Sequence, residues 1–202
     1  KCSSLLFGMN PFYTEIAAII REKSPSKDEL SRIKVRLCRK YGMQRIPTDI
    51  EIFLSSNDDM APLNLVTKPI RTASGVATIS LMGKPIDCAH GTCIYCPGGP
   101  GSVFGDVPKA YTGREPAAMR AIRSNFDPYL QVFGRLEQYA VTGQSFDKVE
   151  IIIQGGTFPS FEAGYQKEFV MYIFKAMNDF YEIFFPGGNF DMKSFKEFFE
   201  LP

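Results

Sequence analysis

Apolar positions spaced three and four apart predict two helices near the N-terminus. Asn10 followed by Pro11 supplies a cap and a first-turn proline. Ile16, Ile19 and Ile20 continue an apolar face to about Lys23, and Ser24-Pro25 breaks the pattern. Ser26 and Glu29 form a capping box for the second helix, and Gly42 stops it. On that helix Leu30, Ile33, Leu37 and Tyr41 share one face and Arg32, Arg36 and Arg39 the opposite one, with Lys34 and Lys40 flanking the apolar stripe. Residues 47–68 are polar and read as a linker holding a short helix around residues 50–54.

The period then changes. Residues 72–82 are β-branched, uncharged and followed by Gly83, which predicts a buried strand. Residues 147–154 predict a second, closed by Gly155-Gly156-Thr157. Between them lie a Gly- and Pro-rich stretch over 83–113, predicted as one long loop, and a helical pattern from about Glu115 to Ala140 interrupted at Asp127-Pro128. A helix over about 162–180 and a last short one complete the chain. Strand, loop, helix repeated twice is the βα pattern of a parallel sheet. Two such units do not close a barrel. The near-absence of charge over residues 72–82 and 149–154 suits burial on both faces, and Phe169, Val170, Ile173, Phe174 and Met177 give the late helix an apolar surface that needs a partner layer.

Composition adds little to that pattern and charge adds more. The chain of 202 residues suits one domain, or one domain and an arm, and its 13% aromatic content, mostly phenylalanine, predicts an aromatic-rich core. Net charge is +1, yet residues 21–45 hold nine Lys/Arg against three Asp/Glu, a local excess of six positive charges, with no acidic residue between Arg32 and Arg45. A solvated face is the ordinary reading of such a helix; the missing counter-charges point instead to a surface for a polyanion, with Arg32, Arg36, Arg39, Lys40 and Arg45 as candidate contacts. With no signal-like N-terminal run and no apolar stretch long enough to cross a bilayer, a soluble cytoplasmic protein without membrane contact is expected.

Five cysteines, three of them at Cys88, Cys93 and Cys96, make a poor disulfide framework and a good metal loop. Three chemistries compete: a structural zinc using His90, the only histidine; no metal; or a [4Fe–4S] cluster with three protein ligands. Three cysteines would leave one iron open to a cofactor. The loop follows a strand, and in parallel α/β folds ligands bind beyond the carboxyl ends of strands. Tyr95 stands before the third cysteine, where it could pack on a ring or fill the loop. Gly155 and Gly156 end the next strand and would let backbone approach a ligand closely, although a tight turn explains them equally well.

The strings CAHGTCIYCPGGP (88–100), RTASG (71–75), YTGREPAAMRAIR (111–123) and DPYL (127–130) resemble the catalytic third subunit of Elongator in its archaeal and bacterial versions. The resemblance implies an α/β fold: part of a radical SAM partial (β/α) barrel over residues 71–202, preceded by a basic helical tRNA-binding extension over 1–70. It implies that Cys88, Cys93 and Cys96 hold the cluster, whose open iron takes S-adenosylmethionine. Gly155, Gly156 and Thr157 match the stretch that contacts its amino group, and Tyr95 the position near its adenine. It further implies modification of the tRNA wobble uridine at C5, a carboxymethyl or acetyl transfer using acetyl-CoA and a SAM-derived radical. tRNA and acetyl-CoA are the expected partners, with other Elongator-type subunits or a second copy beside them. The family's acetyltransferase-like domain is expected further along, so the chain is expected to stop inside the radical SAM domain and to be incomplete for activity. A zinc-stabilised RNA-binding module and another radical SAM tRNA-modifying enzyme are the alternatives.

Overall fold

The computed structural model describes residues 10–55, 65–66, 69–156 and 158–201. The chain forms two units: one from Lys1–Gly75, Gln138–Phe146 and Glu182–Pro202, the other from Val76–Glu137 and Asp147–Tyr181.

The first unit is helical where described. Helix α1 (Pro11–Lys23) starts at Asn10, whose side chain accepts the Phe12 N–H at 2.9 Å, and ends at Ser24 in a left-handed conformation. Helix α2 (Lys27–Lys40) has both halves of its capping box: Ser26 Oγ accepts the Glu29 N–H, and the Glu29 carboxylate accepts the Ser26 N–H at 2.9 Å. Helix α3 (Asp49–Leu54) repeats that device with Thr48 and Glu51. Helix α1 packs on α2 and α3, burying Phe12, Ile16, Leu30, Leu37 and Ile52. The buried face of α2 takes in Lys34 and Cys38 beside Leu30 and Leu37, whereas Ile33 and Tyr41 of the predicted stripe are half-buried. The Lys34 ammonium lies 2.6 Å from Asp49 Oδ1, and a buried charge needs such a partner. Helix α7 (Met192–Phe198), introduced by the Asp191 cap, belongs to a phenylalanine cluster in which Phe184 meets Phe195 with ring centroids 5.2 Å apart.

The second unit is built on a parallel pair, β1 (Val76–Met82) and β4 (Lys148–Gln154), in register from Val76 opposite Lys148 to Met82 opposite Gln154. Strand β1 begins later than predicted. Residues Pro69–Thr72 form a 3-10 turn, and Gly75 takes φ +77°, which extended backbone does not allow. Burial on both faces is found only in part: Ala77, Ile79, Leu81 and Met82 of β1 are buried, whereas Glu150 and Ile152 of β4 are exposed. The predicted loop over 83–113 contains a small antiparallel hairpin, β2 (Gly99–Ser102) and β3 (Gly105–Val107). Among the described residues the parallel sheet has two strands, the number that the two βα units predicted, and they do not by themselves make a barrel.

Two helices hold the end of β1. Helix α4 (Pro116–Arg123) sets Ala118 and Ala121 against Met82. Helix α5 (Pro128–Val141) presents buried Gln131, whose Oε1 accepts the Met82 N–H and whose Nε2 donates to the Met82 carbonyl, both at 3.0 Å. This side chain satisfies the backbone groups of Met82 as a further strand would. Helix α6 (Ala163–Phe184) follows β4 and a 3-10 turn at Phe158–Ser160. No helix of the described residues is long and apolar enough to cross a membrane.

Candidate functional site

Because β1 and β4 run parallel in full register, the cysteine loop leaving Met82 and the glycine pair following Gln154 emerge from the same end of the sheet, side by side. The first residues of the loop are anchored from α6. Lys84 N–H donates to the Tyr165 hydroxyl at 3.1 Å, and the Lys84 ammonium lies 4.8 Å from the Tyr165 ring centroid. Tyr165 stacks on Phe161, and burial raises its pKa.

Two short turns then carry the cysteines. The Gly91 N–H donates to the Cys88 carbonyl, and the Cys96 N–H donates to the Cys93 carbonyl, each at 3.0 Å. The thiols of Cys88, Cys93 and Cys96 are free and partly exposed; Cys38 is free and buried in the helical unit. His90 Nε2 lies 3.4 Å from Cys93 Sγ, and the Ala110 N–H donates to Cys96 Sγ at 3.1 Å. Tyr95 is exposed, and its hydrogen bond to Cys93 raises its pKa. The donor set fits an iron–sulfur cluster in its chemistry: three soft thiols on one short loop, none of them in a disulfide, all within reach of solvent. In geometry the ligand set is not closed, since no three His, Cys, Asp or Glu side chains of the described residues are gathered closely enough to hold a metal ion.

The glycine turn is fixed by close packing. Gly155 has φ +95° and Gly156 φ +57°, and a Cβ on Gly155 would lie 3.0 Å from Pro108 Cβ. The Gly156 N–H donates to the Lys109 carbonyl at 3.3 Å. Thr157 lies outside the described residues. Gly98, two residues past Cys96, has no room for a side chain: a Cβ there would overlap the Tyr111 carbonyl oxygen and stand 2.7 Å from that of Pro108. Residues 108–111 therefore run between the cysteine loop and the glycine turn. From the sequence only Tyr111 is singled out, within a family string, and residues 108–110 are passed over. The available signal was Lys109, the only Lys or Arg between Pro85 and Gly113.

The candidate polyanion contacts lie in the helical unit and differ among themselves. Arg32, Arg36 and Arg39 are exposed and line a surface groove on α2 with Ser31 and Val35, and no salt bridge engages them among the described residues. Lys40 and Arg45 are exposed but paired. Lys40 lies 2.6 Å from Glu15 Oε2, which also accepts from Tyr41, and Arg45 forks onto both carboxylate oxygens of Glu51. The Arg45 hydrogen bonds, helped by Thr48, pull the Glu51 carboxyl from 4.5 down to about 2.

Residues 12–73 match the ELP3 N-terminal domain. The chain is similar to the tRNA uridine(34) acetyltransferase of Methanocaldococcus infernus, with 46% identity over 163 residues, 78% of this chain and 30% of that protein. It is similar to Elongator complex protein 3 of Bos taurus, 40% identical over 172 residues, 81% of this chain and 31% of the relative. It is likewise similar to Elongator complex protein 3 of Saccharomyces cerevisiae, 40% identical over 159 residues, 75% of this chain and 28% of the relative. The chain thus spans about 30% of the length of these curated relatives. With the ELP3 N-terminal domain at its start and this level of identity along some four fifths of its length, the chain belongs to the family of Elongator complex protein 3 and the tRNA uridine(34) acetyltransferases.

Proposed function

We propose that this chain is part of a tRNA-modifying enzyme of the radical SAM type, acting on uridine 34 with acetyl-CoA as the second substrate. The observation that carries the reading is the pairing of Met82 with Gln154, which makes a three-cysteine loop and a glycine turn leave the same end of a parallel sheet. Ligands of parallel α/β sheets bind in that position. Cys88, Cys93 and Cys96 would hold a [4Fe–4S] cluster, which when bound supplies the electron for reductive cleavage of S-adenosylmethionine. Gly155 and Gly156, with no side chains in the way, would let backbone groups approach the amino end of that cofactor, and Thr157 is assigned there by the family resemblance. Tyr95, exposed beside Cys93, would lie flat against the adenine. Arg32, Arg36 and Arg39 would meet phosphates of the tRNA. The relatives' names, which specify uridine 34 and Elongator, support the substrate and suggest Elongator-type partner subunits.

The test is a reaction of the full-length protein with unmodified tRNA, S-adenosylmethionine, acetyl-CoA and a reductant, followed by nucleoside mass spectrometry. A carboxymethyl-type adduct on uridine 34, dependent on all four additions, is expected. Unmodified uridine 34 together with an active cluster would remove the substrate assignment. One observation favours a second reading, a zinc-stabilised RNA-binding module: His90 Nε2 lies 3.4 Å from Cys93 Sγ, as a fourth ligand in a Cys₃His site would. Metal identity separates the two.

A further inference from the structure

We infer that Lys109 and Ala110 form an internal clamp that fixes the cysteine loop, with Lys109 as a positioning residue for whatever the three thiols hold. The inference deepens the reading of that loop as a metal centre and rests on it. The Lys109 side chain is only 7% exposed. It lies across Gly99, where a Cβ would stand 2.6–2.8 Å from Cδ, Cε and Nζ of the lysine, so a side chain there would push the lysine off this path. At the end of that path Nζ donates to Thr92 Oγ1 and meets Asp87 Oδ1, each at 3.2 Å. Asp87 immediately precedes Cys88, and Thr92 immediately precedes Cys93. The next residue along, Ala110, gives its N–H to the sulfur of Cys96. It does so with φ +68°, a conformation that costs an alanine free energy and that the surroundings must impose. Two consecutive residues thus reach the segment of every cysteine in the loop. On the other side the Lys109 carbonyl accepts the Gly156 N–H, which ties the clamp to the turn after β4.

The energetic logic is that of a buried charge. An ammonium withdrawn from water is costly unless it is paired and hydrogen-bonded. Both oxygen partners shown for this one come from the cysteine loop, and Asp87 is itself largely exposed, with 77% of its side chain accessible. The lysine is compensated when the loop takes this conformation and loses its partners when the loop opens. The charge therefore selects the arrangement in which the residues before Cys88 and Cys93 are drawn to one point.

The full-length protein, metal-free and under anaerobic conditions, is treated with iodoacetamide, and the alkylation rate of each cysteine is read by peptide mass spectrometry. Lys109→Met is expected to speed Cys88 and Cys93 by about tenfold through loop opening. Thr92→Val should act chiefly on Cys93 and Thr92→Ser should restore it, while Asp87→Asn should act chiefly on Cys88. Buried Cys38 is the control and should not change. After reconstitution Lys109→Met should also retain less iron than the parent. Unchanged rates at the loop cysteines would overturn the clamp, and so would a parallel rise at Cys38, which would mean general loosening. If Lys109→Met does not fold, the Thr92→Val and Thr92→Ser pair decides by the same readout. A parent protein that takes no iron yet shows this alkylation pattern would sink the metal reading and support the clamp.

Discussion

Gly98 illustrates how much of the site is decided by single atoms. A methyl group there would occupy the place of the Tyr111 carbonyl oxygen, which is backbone and cannot swing aside. Gly98→Ala is expected to cost about 3 kcal/mol or more, at the upper end for overpacking, and to lower the urea midpoint accordingly. An unchanged midpoint would mean that residues 108–111 do not pack on the loop as described. Lys109 and Lys34 show why such residues were not read from the sequence. Each is a cation whose burial depends on a partner elsewhere in the chain, Asp87 and Thr92 for one and Asp49 for the other. Periodicity records which positions are apolar and carries no record of such partners. The cysteines were legible because their meaning lies in their own spacing.

At the scale of elements, what was legible was what is local. Asn10-Pro11, the Ser26–Glu29 box and the stop at Gly42 each act within a few residues, and the helices begin and end there. The β2–β3 hairpin was missed because its strands are glycine-rich, with Gly99, Gly101 and Gly105 all at positive φ, and have no β-branched pattern to announce them. Helix α3 carries a pH dependence. The folded Glu51 pKa is depressed from 4.5 to about 2, first by the Arg45 hydrogen bonds. Its contribution to stability is therefore fully present above the unfolded value and is lost as pH falls from about 4.5 towards 2. Thermal unfolding followed by circular dichroism should show a shallower acid loss for Glu51→Gln than for the parent across that window, and equal slopes would contradict the Arg45–Glu51 fork. Helix α2 carries the polyanion surface. Reversing Arg32, Arg36 and Arg39 together to Glu should weaken tRNA binding by the full-length protein and reduce its salt slope by about 2–3. Lys40→Ala should change that slope less, because its charge is already met by Glu15. Unchanged affinity of the triple variant in a titration would return α2 to an ordinary solvated face.

For the whole molecule, the sequence pattern gave a βα repeat and the structure gives one parallel pair with its helices, in a unit distinct from the helical one. The helical unit also takes in residues 138–146 and 182–202, which no local signal marks, because partners chosen across the chain are a property of packing. Membership of the family of Elongator complex protein 3 and the tRNA uridine(34) acetyltransferases rests on identity along the chain and agrees with the resemblance read from its motifs. We propose more narrowly that Cys88, Cys93 and Cys96 hold an iron–sulfur centre. Iron, acid-labile sulfide and zinc should be measured on anaerobically reconstituted full-length protein and on its Cys88→Ala, Cys93→Ala, Cys96→Ala and Cys38→Ala variants. The expected result is iron and sulfide in equal amounts, about four of each per chain, lost in the three loop variants and kept in Cys38→Ala. One zinc per chain with no iron or sulfide taken up would contradict the claim and leave the Cys₃His reading in its place.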